Sequence, residues 1–386
     1  MRTYLFPLLF LLASLTFIQP TPGGYYSSID VLDETRYSLD YENVFKPRLG
    51  DLSTISLPNP ATNPPIRRRY LLLEALGRDG TPKLDTLEQQ LNYSTVLIRR
   101  GKAVEAVQLL RPLLSKYGDN FLVLTHYATA LFLTANPDFE GDAPSTVRDA
   151  LRLWPNSWND LKNEQKAFLL SFGWEGEPTY DFKRRNEEYF YRLMVNRLKE
   201  KKKKPAEETV DPIFLDAKQT PIRFVNDQGV FQAGGIRNSD KEQVPRDAVE
   251  AVEQLLIWMP SDDRLLWLLG EVFNASAMDY QDPARKNQAI KSAFYVFDKL
   301  TNLEAPAKFG FKEIKIRHDV LREAVETMPV EQIKLPDDID SDSKLTRLEW
   351  WRTLAVVFAL GLAIGIFALW QVQEVRRRRQ ARGTNG

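Results

Sequence analysis

Apolar residues fall along the chain in three different rhythms, and each rhythm predicts a different kind of element. Leu5 to Ile18 form a nearly continuous apolar run behind Met1 and Arg2, interrupted only by Pro7 and small or hydroxylated residues. No polar face is present, so the run reads as the core of a signal peptide over residues 1–23, or as an uncleaved anchor if it is not removed. Residues 24–66 then lack any sustained period and are rich in Pro, Ser and Asn, which predicts a loosely ordered leader. From Arg67 onward the period becomes helical, first in a short segment to Gly77 and then in a long series that starts at Leu87. Near the other end, Thr353 to Trp370 carry no charge and would make about 27 Å of helix, close to a bilayer's hydrocarbon thickness. Trp350, Trp351 and Trp370 bracket that run.

The pattern divides the chain further. A helical domain is expected over residues 67–204, including Leu161 to Phe172 and Phe182 to Glu200. A linker follows over 205–244. Within it Ile222, Phe224 and Val225, the turn Asn226 to Gly229, and Val230 and Phe231 predict a small β-hairpin. A second helical block spans 245–335, an acidic juxtamembrane linker 336–350, a transmembrane helix 351–371 and a basic tail 372–386. Arg376 to Arg379 and Arg382 follow the apolar run, and by the positive-inside rule they place the tail in the cytoplasm. The expectation is therefore a bacterial envelope protein in the inner membrane, singly anchored at its C-terminus, with its main domain extracytoplasmic. Gly361 and Gly365 lie one turn apart in the apolar run, a spacing that lets two such helices approach and form a homodimer.

Two stretches of about 34 residues repeat one arrangement of large and small positions. In the first, Tyr93-Ser94 and Leu97 are followed by Gly101 at a turn, Ala106 at a close crossing, then Leu110 and Leu113. The second places Tyr127-Ala128, Leu131, Ala143, Ala150 and Pro155 in corresponding positions, with a small insertion around Asn136 to Gly141. Downstream, Ala248, Leu255, Pro260, Leu269-Gly270, Phe273, Ala289 and Val296 fit a third partial copy. These residues resemble the tetratricopeptide-repeat family, over about 140 of the 386 positions. Gly118 stands where the family usually has Pro, and Gln90 where it has Trp. The resemblance implies a mainly α fold, a helical-repeat solenoid whose Tyr93, Ser94, Leu97, Gly101, Ala106, Tyr127, Ala128, Leu269, Gly270 and Ala289 serve packing. It also implies a groove for a peptide or protein partner.

Composition narrows the chemistry. Formal charge is zero, but with Arg2, Arg352, Arg376 to Arg379, Arg382 and Glu374 set aside the remainder is about six charges negative. That acidity argues against nucleic acid, and the basic stretch from Lys183 to Lys204 reads as a solvated helix end leading into a linker. No cysteine is present, so disulfides and thiol chemistry are excluded. His126 and His318 stand in no metal-binding spacing, and no phosphate loop or serine elbow occurs. No catalytic, cofactor or metal residue is assigned. The functional expectation is a membrane-anchored scaffold that holds a protein or peptide; an envelope enzyme or enzyme subunit using carboxylates is the alternative. Asn92-Tyr93-Ser94 and Asn274-Ala275-Ser276 match glycosylation triplets but fall in expected packed helices.

Overall fold

The structure is a computed structural model, and it describes residues 39–329 apart from 56–69, 72, 76–83, 135, 137–140, 175, 202–208 and 303–309. Among the described residues the chain is mainly helical and forms no strand. A wide turn of π geometry, Tyr41–Phe45, leads into α1, Lys46–Ser53. Then come α2 (Leu87–Arg99), α3 (Ala103–Leu110), the short α4 (Leu114–Tyr117), α5 (Phe121–Leu133), α6 (Ala143–Leu153) and α7 (Asn163–Ser171). The long α8 (Glu177–Glu200), the short α9 (Asn238–Lys241), α10 (Ala248–Trp258), α11 (Asp263–Ser276), α12 (Pro283–Thr301) and α13 (Phe311–Glu326) complete the series.

Local chemistry explains where these helices begin and end. Thr86 caps α2: its hydroxyl accepts from the Gln89 N–H at 3.2 Å, while the Gln89 side chain accepts from the Thr86 N–H at 3.1 Å. Its other end stops at Gly101, whose φ of 71° suits a residue without a Cβ, and the Lys102 N–H returns to the Leu97 carbonyl at 2.8 Å. Asn120 caps α5, and Asp262 and Asp282 cap α11 and α12.

Most helices pack on the next in sequence: α2 on α3, α3 on α5, α5 on α6, α6 on α8, then α8 through α10, α11, α12 and α13. Small residues stand at the close approaches. Ala106, Ala143, Ala150, Ala289 and Ala293 are fully buried, and a Cβ placed on Gly270 would come within 2.6 Å of the Phe297 ring. One apolar core runs from Tyr41 to Leu321. Each fully buried Leu or Phe in it contributes about 1.5–3 kcal/mol.

Three expectations need correction. The leader is not loose over its whole length: within residues 39–55, Tyr41, Phe45, Leu49, Leu52 and Ile55 are all at most 2% exposed. The β-hairpin is absent. Only an isolated antiparallel bridge joins Leu215 and Pro221, and Ile222, Phe224 and Phe231 turn into the helical core instead. The backbone of that stretch is met within the irregular segment itself, the Ile222 N–H by the Phe214 carbonyl at 3.1 Å and the Val225 carbonyl by the Arg237 N–H at 2.8 Å; just beyond it buried Asn274 accepts from the Gly234 N–H at 2.7 Å and donates to the Gln232 and Gly235 carbonyls at 3.0 and 3.3 Å.

The third correction concerns localisation. Among the described residues no helix is long and apolar enough to cross a membrane, so the structure gives a single C-terminal anchor no support. The apolar runs at both ends, with Gly361 and Gly365, lie outside the described residues.

An ion cluster ties the irregular stretch before α9 to two helices. Arg197 of α8 holds Asp211 at 2.6 Å and Asp262 at 2.7 Å; Arg264 meets Asp211 at 3.0 Å and Glu200 at 2.8 Å. Burial alone would raise the Asp262 carboxyl, but the Arg197 guanidinium outweighs it and holds that carboxyl below the usual range.

Candidate binding groove

Helices α2, α5 and α7 begin side by side, and their first turns leave a groove of about 410 Å³ between them. Leu87, Phe121 and Leu122 form one wall, with Tyr117 from the end of α4, and Phe168 and Leu169 of α7 form the other. The charged side chains in the lining are Glu88 and Glu164; no cation contributes to it. The Lys116 ammonium lies nearby, 4.9 Å from the centre of the Tyr117 ring.

Beneath the groove lies an aromatic stack. Phe121, which lines the groove, stacks on Trp154 with centroids 4.4 Å apart, and Trp154 stacks on Trp174 at 5.7 Å. Tyr180 meets both indoles edge-on, and Trp158 packs against it from the side. The Tyr180 hydroxyl donates to the Pro155 carbonyl at 2.7 Å, and burial pushes this phenol above its ordinary range. A side chain that reaches Phe121 therefore touches a ring stacked on buried Trp154 and, through it, on buried Trp174.

None of the residues singled out for packing lines this groove. Ser94, Ala106, Ala128, Leu269 and Ala289 are fully buried, Leu97 nearly so, and Tyr93 and Tyr127 are half-buried. Gly101 makes the turn and Gly270 the close approach already described. The structure brings Ser94 to His126 of α5: the Ser94 hydroxyl lies 2.7 Å from the Leu91 carbonyl, to which it donates, and 3.0 Å from Nδ1 of His126. This pair pins two helices together. Arg111 reaches the Tyr127 hydroxyl at 3.4 Å. His318 stacks on Phe294 and lies between Asp298 and Asp319, at 3.5 and 3.1 Å.

Among the described residues no group of His, Cys, Asp and Glu could hold a metal ion. A second cavity of about 360 Å³ lies between the loop before α10 and the end of α11. Its Lys241 is already committed, to the Met278 carbonyl at 2.9 Å and Asp279 at 3.3 Å. Glu271 is buried under Trp267, which donates to it at 2.9 Å, and under Arg317 of α13. Burial raises this carboxyl, against the Arg317 charge, and the group joins α11 to α13.

Sequence reasoning missed the groove residues Glu88, Tyr117, Glu164 and Phe168. The signal that could have found them was the clustering of Trp154, Trp158, Trp174 and Tyr180 just before and after α7. No family model matches the chain, and no curated protein or solved structure matches it.

Proposed function

We propose that this chain is a protein-interaction module, its helices stacked in the manner of tetratricopeptide repeats, that captures a segment of a partner in the groove at the starts of α2, α5 and α7. The observation that carries the reading is the pairing of an apolar lining with two carboxylates and no cation. A volume of about 410 Å³ admits one or two bulky side chains. Glu88 and Glu164 favour Lys or Arg beside them. The recognised segment therefore carries a leucine or aromatic anchor next to a basic residue.

Selection from a random displayed peptide library on the full chain tests this. Enrichment of that pattern is expected, together with a change in tryptophan emission on binding, because Phe121 stacks on Trp154. Glu88→Lys combined with Glu164→Lys should weaken the selected peptides at least tenfold. Peptides without the pattern, or binding indifferent to both substitutions, would overturn the reading.

A further inference from the structure

Residues 39–55 pack against a part of the molecule about 250 positions away, and they do so as a ligand does. Tyr41, Phe45, Leu49 and Leu52 recur at intervals of four, four and three, which sets them on one helical face. That face is buried against α10, α11 and α12. Tyr41 meets Phe273 edge-on at 6.4 Å, and its N–H donates to Ser292 at 3.2 Å. Ser292 in turn donates to the Leu39 carbonyl, with Gln288 at 3.5 Å from the same oxygen. At the far end Arg100 of α2 donates to the Ile55 carbonyl. Apolar side chains are thus read along one face, while side-chain hydrogen bonds hold the backbone at both ends.

The segment has little means of holding this shape by itself. Helix α1 is eight residues long and contains Pro47 and Gly50, well below the length at which an isolated helix persists. Its order comes from the groove. Every copy of the chain carries the same segment and the same groove.

We propose that the groove of α10, α11 and α12 is a helix-binding site with residues 39–55 as a separable ligand, and that a second copy of this chain supplies its own 39–55 in exchange, giving a reciprocal dimer. This rests on the filled groove alone, so it stands or falls independently of the open one.

The absence of cysteine makes the test clean. Gly50 has open space around its Cα and Lys286 is exposed on α12, so full chains bearing Gly50→Cys and Lys286→Cys can be labelled with donor and acceptor dyes. On mixing and prolonged incubation, intermolecular energy transfer is expected to rise together with a species of twice the mass. An excess of a synthetic 39–55 peptide should suppress both, whereas a scrambled peptide should not. Phe45→Asp in the donor chain should abolish transfer, because the groove rejects a charge at that position. No transfer while the circular dichroism stays native, or transfer that survives Phe45→Asp or ignores the peptide, would overturn the proposal.

Discussion

The two grooves differ in what fills them and in how they could discriminate. The one between α10, α11 and α12 is filled by the chain's own residues 39–55, and its contacts are buried apolar faces with side-chain-to-backbone hydrogen bonds at the ends. The groove at the starts of α2, α5 and α7 is open and has two carboxylates in its lining. A filled apolar groove selects by shape; an open one adds charge, which acts while the partner is still approaching through water. One chain thus carries a groove occupied by its own segment and another that stands open.

The comparison is broken most directly by emptying the filled groove. Phe45→Ala removes a fully buried ring and should cost about 3–5 kcal/mol, measured by denaturant unfolding of the full chain. A loss below about 1 kcal/mol would mean that residues 39–55 are not part of the cooperative core.

Overpacking the walls comes next. Gly270→Ala drives a Cβ to 2.6 Å from Phe297 behind the filled groove, and Ala106→Leu does the equivalent in α3, which packs on α2 and α5. Each should destabilise by about 1–3 kcal/mol in thermal melts. Unequal costs would show which wall yields.

Acid should separate the two sides as well. Helix α11 is capped by Asp262, whose carboxyl is depressed in the folded state, so its stabilisation is present above the unfolded value and is lost as pH falls through the folded one. The caps at the open groove, Thr86 and Asn120, do not titrate. Below the ordinary carboxylate range the loss at Asp262 works toward pepsin cutting within α11, against Glu271 of the same helix, whose raised carboxyl favours the folded state in acid, and Asp262→Asn should flatten that dependence. Simultaneous cutting near α5 would remove the distinction. The smallest effect on stability belongs to Glu88 and Glu164: each stands in the first turn of its helix, so Glu88→Lys with Glu164→Lys should cost about 1 kcal/mol through the helix dipole. A larger change would make them structural.

How much of this was legible in the sequence depended on the distance over which the physics acts. Thr86 and Gln89 announce the start of α2, and Gly101 its end, because capping is settled within a few residues. Ile222, Phe224 and Phe231 were misread as a hairpin because short apolar alternation does not say what satisfies the backbone. Here the partners are scattered, the Phe214 carbonyl for Ile222 and the Arg237 N–H for Val225, with Asn274 holding the residues that follow. Residues 39–55 escaped notice for the same reason, since Pro47 and Gly50 weaken any local helical signal and most of the compensating contacts lie far along the chain, in α10, α11 and α12. The open groove needed three helix starts brought together, and no single stretch of sequence contains that arrangement.

The contact between Tyr41 and Ser292 has a consequence for synthesis on the ribosome. The two residues are 251 positions apart, so at roughly 5–20 residues per second about 10–50 s pass between the making of one and of the other. Throughout that interval Tyr41, Phe45, Leu49 and Leu52 have emerged without the surface that will cover them. The order in which the chain is translated gives this short segment the longest wait of any described part of the core, and makes it the part most in need of a chaperone's cover before the molecule is complete.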